Sequence, residues 1–134
     1  SAAGGDSPPA QEPLQPRHIL LVEDHADTAE AIRDLLSDRG YRVSIAGSIA
    51  EALAHADMQE GTPIDLVVSD LGLPDGSGLD LMRELSRRHG LSGIALSGYG
   101  MNEDVRKSRE AGFRKHLTKP VDVRTLEEAI RKAH

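Results

Sequence analysis

The sequence predicts an α/β domain: a doubly wound, five-stranded parallel sheet with helices on both faces. Two observations carry this. Short apolar runs recur along the chain with helical patterns between them, and the strongest runs do not alternate apolar with polar. "HILLV", "YRVSI", "IDLVVS" and "GIALS" are four such runs, and "RKHL" is a weaker fifth. Five strand–helix units in succession favour a parallel sheet covered on both sides. "LLV" and "LVV" are apolar throughout, as strands buried on both faces should be.

Each helix has its own signal. Thr28 to Arg39 places Ala29, Ile32, Leu35 and Leu36 on one face and stops before Gly40, a C-terminal cap residue. Ser48 with Glu51 forms a capping box for the second helix. Leu79 to His89 is the third, closed by Gly90, and Asn102 to Ala111 the fourth, closed by Gly112. The fifth starts at Asp122, where Val121 and Leu126 fit a hydrophobic staple. Leu126, Ala129, Ile130 and Ala133 then follow at i, i+3, i+4 and i+7. For five such units the flavodoxin-like order 2-1-3-4-5 is expected, with the topological switch between strands 1 and 3.

The chain has 134 residues, enough for one domain with a hydrophobic core. Residues 17–134 are expected to form that domain. Ser1 to Pro16, rich in Pro, Gly, Ala and Ser, is expected to be a flexible linker or tail. It lacks the pattern of a signal peptide. The net charge of −6 argues against direct nucleic-acid binding. No apolar run is long enough to cross a bilayer, so no membrane contact is expected. The absence of cysteine rules out disulfides and thiolate metal sites.

The segment "DLVVSDLGLPDGSG" brings Asp70 to the end of a buried strand and then turns sharply. Glu23 and Asp24 follow strand 1, Ser97 ends strand 4 and Lys119 follows strand 5. Parallel strands point one way, so these groups gather at the edge where open α/β sheets bind ligands. Carboxylates about 4 Å apart repel by roughly 4 kcal/mol at an effective dielectric near 20. Protonation or a cation relieves that cost. A few oxygen ligands suit Mg²⁺ completed by water and phosphate. With a lysine and a hydroxyl added, the set describes an aspartyl-phosphate site. Taken singly, each group has a plainer reading: a helix cap for Glu23 and Asp24, a turn residue for Asp70, a structural hydroxyl for Ser97, a solvated charge for Lys119. Their convergence at one sheet edge favours the joint reading.

"ILLVEDHAD", "DLVVSDLGLPDGSGLDLM", "IALSGYG" and "HLTKPV" together resemble, in order, the motifs of receiver domains of two-component response regulators (CheY-like). The resemblance runs from Arg17 to His134. It implies that Asp70 is the phosphoacceptor and that Asp24 and Asp70 bind Mg²⁺, with the Gly72 carbonyl as third protein ligand. Glu23 completes the acidic pair. It also implies that Lys119 contacts the phosphoryl oxygens, that Ser97 is the switch hydroxyl and that the Lys119–Pro120 bond is cis. The implied partner is a histidine kinase or histidine phosphotransfer domain. The implied output is a shift of the surface formed by the fourth helix, fifth strand and fifth helix. Such a domain is a phosphoacceptor switch rather than a turnover enzyme, expected to be cytoplasmic and monomeric.

Three positions depart from the family pattern. His116 stands where a Tyr or Phe switch ring is usual. Gly72, two residues after the phosphoacceptor, has no side chain to steer water, and Tyr99 is placed to cover the site. A plain strand histidine and a replacement switch ring both remain open for His116. Three rival readings fit the residues less well. A flavodoxin-like cofactor binder needs a phosphate loop where "VEDHAD" is acidic. An aspartate phosphatase or mutase needs a second acid where Gly72 stands. A receiver-like adaptor without phosphorylation needs a broken site. Two architectures fit: a free-standing regulator, or the C-terminal receiver of a hybrid histidine kinase, which the linker-like start favours.

Overall fold

The computed structural model describes residues 18–58, 63–98 and 105–133. The expected tail, the start of the fourth helix at Asn102, and Tyr99 lie outside these residues. The chain order is β1 (His18–Val22), α1 (Ala26–Asp38), β2 (Arg42–Ala46), α2 (Ile49–Met58) and β3 (Leu66–Asp70). A two-stranded ribbon follows, β4 (Gly72–Leu73) and β5 (Gly76–Ser77), then α3 (Gly78–His89) and β6 (Gly93–Ser97). α4 (Val105–Ala111), β7 (Phe113–Thr118) and α5 (Val123–Lys132) complete the domain.

The five main strands are parallel, in the order β2-β1-β3-β6-β7, which is the expected 2-1-3-4-5. β1, β3 and β6 are buried at every position, while β2 and β7 form partly exposed edges. Alternate residues of each central strand feed opposite layers. Ile19, Leu21, Leu66, Val68, Ile94 and Leu96 pack with α1 and α5 residues such as Leu36, Leu126 and Ile130. Leu20, Val22, Val67 and Ala95 pack on the other side with Ala52, Leu81, Met82 and Leu85. Apolar runs without alternation are thus the signature of a sheet with two cores.

Local signals explain most boundaries. Gly40, Gly90 and Gly112 close their helices at φ of 94°, 68° and 124°, a region that L side chains rarely adopt. α1 begins at Ala26, two residues before the expected Thr28, because the His25 carbonyl already accepts from the Ala29 N–H at 2.9 Å. At α2 the Ser48 hydroxyl accepts from Glu51 N–H at 3.2 Å, while the Glu51 carboxylate reaches back to Gly47 N–H at 2.8 Å. The box therefore closes one residue further back than the simplest form. Asp75, from the β4–β5 turn, accepts from Ile49 N–H at 2.8 Å and Ala50 N–H at 3.1 Å. These contacts tie the ribbon to α2 and keep Asp75 below the ordinary carboxylate pKa. Asp122 is the N-cap of α5 but makes no side-chain cap bond.

Candidate phosphoryl-acceptor and metal site

All the polar groups expected at the strand ends meet at the C-terminal edge of the sheet. β1 delivers Glu23, whose N–H donates to the Ala46 carbonyl at 2.9 Å and extends the β1–β2 ladder by one step. β3 ends on Asp70, and the Leu71 N–H donates to Leu96 O at 2.9 Å, fixing the turn against β6. Gly78 packs directly on the Asp70 carbonyl oxygen: a Cβ there would fall well inside van der Waals contact. Only glycine lets the ribbon fold back this closely. Lys119 N–H donates to Ser97 O at 2.8 Å, aligning the end of β7 with β6. The Lys119–Pro120 bond that follows is cis, as the family resemblance implies.

The centre of the site is one ammonium between two carboxylates. Lys119 Nζ donates to Glu23 Oε1 and to Asp70 Oδ2, each at 2.7 Å. The Glu23 side chain is fully buried and the Asp70 side chain nearly so. Burial alone would push Glu23 up, but hydrogen bonds from Lys119 and His25 outweigh it and hold Glu23 below its ordinary pKa. Asp70 goes the other way. Burial, aided by the charge of Glu23 and only partly opposed by Lys119, pushes it up to about 6. Burial acts to lower Lys119, but its bonds to Asp70 and Glu23 win, so its pKa is raised and the ammonium is kept.

Asp24 is more open, with 35% of its side chain exposed. Carboxylate oxygens of Glu23, Asp24 and Asp70 and a ring nitrogen of His25 lie within 4.8 Å of one another. Three carboxylates facing one ammonium leave an excess of two negative charges if all ionise. Hard oxygen donors with that excess fit a divalent cation. Gly72, expected to lend its carbonyl, begins the ribbon and pairs with Ser77.

Ser97 is buried at the end of β6. Its hydroxyl lies 2.9 Å from His116 Nε2, across the β6–β7 ladder. His116 is half-buried, as the plainer reading expected, and its ring meets the Ser97 hydroxyl, a contact that neither reading specified. Its Nδ1 is buried and without a partner among the described residues. His25 escaped the sequence reading. It was visible only as an imidazole adjoining the acidic pair, and its N–H and Nδ1 both meet Glu23 Oε2, at 3.1 and 2.9 Å.

Comparison with known proteins agrees with this geometry. The chain is 38% identical over 107 residues to an uncharacterized 14.6 kDa protein of Leptolyngbya boryana, covering 78% of this chain and 79% of that one. It is 32% identical over 111 residues to the TorCAD operon transcriptional regulatory protein TorR of Escherichia coli O157:H7. That match takes in 83% of this chain but only 47% of TorR, so the chain spans about half of that relative. A crystal structure of a response regulator receiver domain protein from Clostridium thermocellum superposes with a TM-score of 0.80 at 30% identity, covering 87% of this chain and 93% of that one. The model of the response regulator receiver domain matches residues 19–131, nearly everything the structure describes. Sheet order, strand-end chemistry and this match agree: the chain belongs to the response regulator receiver domain family of two-component signalling.

Proposed function

We propose that Asp70 accepts a phosphoryl group from a histidine kinase or histidine phosphotransfer protein in the cytoplasm. The observation that carries this is Lys119 Nζ shared at 2.7 Å between Asp70 and the buried Glu23. One carboxylate oxygen of Asp70 attacks phosphorus, the P–N bond of the donor phosphohistidine breaks, and its electron pair returns to the imidazole. The product is an acyl phosphate on Asp70. Glu23 holds Lys119 over the acceptor. Lys119 then neutralises oxygens of the transferred group, which is the positioning and charge stabilisation that phosphoryl transfer needs most. Asp24, Asp70 and the Gly72 carbonyl are the residues that would hold Mg²⁺, with Glu23 nearby. Bound Mg²⁺ supplies further charge neutralisation at the phosphoryl oxygens. In purified protein, acetyl phosphate with Mg²⁺ is expected to add the mass of one phosphoryl group, and chelation by EDTA to prevent it. Equal labelling in EDTA would remove the metal from this reading.

Ser97 and His116 carry the signal outward. The Ser97 hydroxyl lies 2.9 Å from His116 Nε2, and where it donates its one proton to that nitrogen, binding a phosphoryl oxygen on Asp70 takes the proton from the ring. Loss of the contact would leave Nε2 as well as Nδ1 without a protein partner, and buried polar groups left unpaired cost about 1–3 kcal/mol each. That cost ties the His116 ring on β7 to what the Ser97 hydroxyl binds. Ser97→Ala is expected to be labelled at a rate within about threefold of wild type, because a hydroxyl donor is not the attacking group. Its amide NMR shifts in α4 and β7 on adding beryllofluoride should be much smaller than in wild type. Loss of labelling in a folded Ser97→Ala protein would give Ser97 a chemical role instead.

A further inference from the structure

A cavity of about 500 Å³ opens where β6 and β7 begin. The strands are parallel, so it lies at the edge of the sheet opposite Asp70, and it shares no residue with the acceptor site. Ser86 of α3, Ser92 before β6, Arg109 of α4, and Gly112, Phe113 and Arg114 at the start of β7 line it. The space exists because several of its walls are small. Gly112 stands at φ 124°, and a Cβ there would come 3.2 Å from Met82 Cγ and 3.3 Å from Ser86 Cβ. A volume of this size falls in the range of small-molecule sites, about 300–1,000 Å³.

The charge of the cavity is one-sided. No carboxylate lines it. Arg83, Arg87 and Arg88 on α3 are each held by an acidic side chain. Arg109 and Arg114 form no ion pair among the described residues. Two like charges on one cavity repel, and a bound anion relieves that. The C-terminal ends of α3 and α4 also reach the cavity, at Gly90 and Gly112, and each contributes about half a negative charge at most. Two full positive charges exceed this.

We propose that this cavity binds a small organic phosphate, whose phosphoryl oxygens are taken by the Arg109 and Arg114 guanidiniums and the Ser86 and Ser92 hydroxyls. A guanidinium fork pairs two N–H groups with two oxygens of a phosphate or a carboxylate. Two forks and two hydroxyls, from four segments of the chain, call for more oxygens than a carboxylate has. A phosphate monoester offers three terminal oxygens and a charge of about −1.5 to −2.

NMR titration of the whole ¹⁵N-labelled chain with ribose 5-phosphate, in metal-free buffer at pH 7.5, tests the site. The expected result is saturable shifts of the Gly112, Phe113 and Arg114 amides at millimolar probe. Arg109→Gln and Arg114→Gln should each weaken binding about tenfold, the scale of losing a charged hydrogen-bonding partner. Both arginines are exposed, so the variants should keep the wild-type spectrum elsewhere. Arg124→Gln removes an exposed cation of α5 that does not line the cavity, and its affinity should stay within about twofold of wild type. Absence of saturable shifts at these amides, equal shifts with ribose or with sodium chloride at matched ionic strength, or equal losses in Arg124→Gln overturns the proposal. Acetate binding as tightly as ribose 5-phosphate overturns the assignment to phosphate.

Discussion

Replacing Lys119 by Met is expected to slow labelling of the domain by acetyl phosphate about 100-fold, the scale of losing one preorganised charge donor from a transfer site. The cause is the shared ammonium. Lys119 Nζ sits 2.7 Å from both Glu23 and Asp70, and the Glu23 side chain has no solvent contact. Without it, two buried carboxylates face one another and the acceptor stays protonated to higher pH, which removes the nucleophile. Adding Mg²⁺ restores part of the neutralisation but not the donor aimed at the phosphoryl oxygens. Lys119→Arg should recover little, because a planar guanidinium cannot place one nitrogen between two carboxylates as a compact ammonium does. Time courses of intact mass measure the rate. A Lys119→Met rate within about threefold of wild type would exclude Lys119 from the chemistry.

Asp70→Asn is expected to stabilise the metal-free fold near pH 7.5 by about 1–3 kcal/mol. Burial raises Asp70 from its ordinary 3.8 to about 6, so the folded state holds the Asp70 proton more tightly than the unfolded chain does. A group raised in this way stabilises the fold fully below its unfolded pKa, and that stability is lost as pH rises through the folded one. The window is therefore about 4 to 6. Above it, ionised Asp70 costs stability that Asn does not. Below it, the two proteins should converge, since both then carry a neutral side chain. Urea unfolding of both proteins across pH 4 to 8 in EDTA follows the difference. An Asn variant less stable than wild type at pH 7.5 would show that Lys119 outweighs burial at Asp70.

The sheet and its acidic edge were readable because both depend on local features. Buried parallel strands leave apolar runs such as "LVV", and a polar residue closing each run must emerge at the same edge. Asp70, Glu23, Asp24, Ser97 and Lys119 were therefore placed from strand ends alone. What stayed hidden depends on partners distant in sequence. Nothing around Asp75 marks it as the cap of α2, because the N–H groups it satisfies belong to Ile49 and Ala50. The β4–β5 ribbon is two residues per strand, too short for any periodicity. The hydrogen bond of Ser97 to His116 requires the β6–β7 register, which pairs Ser97 with Thr118 and Ala95 with His116. The clamp of His25 on Glu23 needs the sharp entry into α1, which no propensity in "VEDHAD" specifies.

The central claim is that one carboxylate of this cluster, Asp70, carries the phosphoryl group. It is tested most directly by labelling the chain with acetyl phosphate and Mg²⁺, reducing the acyl phosphate with borohydride and sequencing the peptides by mass spectrometry. The acceptor aspartate becomes homoserine, which marks its position. The account predicts homoserine at position 70 alone, and no phosphoryl mass on the Asp70→Asn protein. Homoserine at position 24, or undiminished labelling of Asp70→Asn, would contradict it.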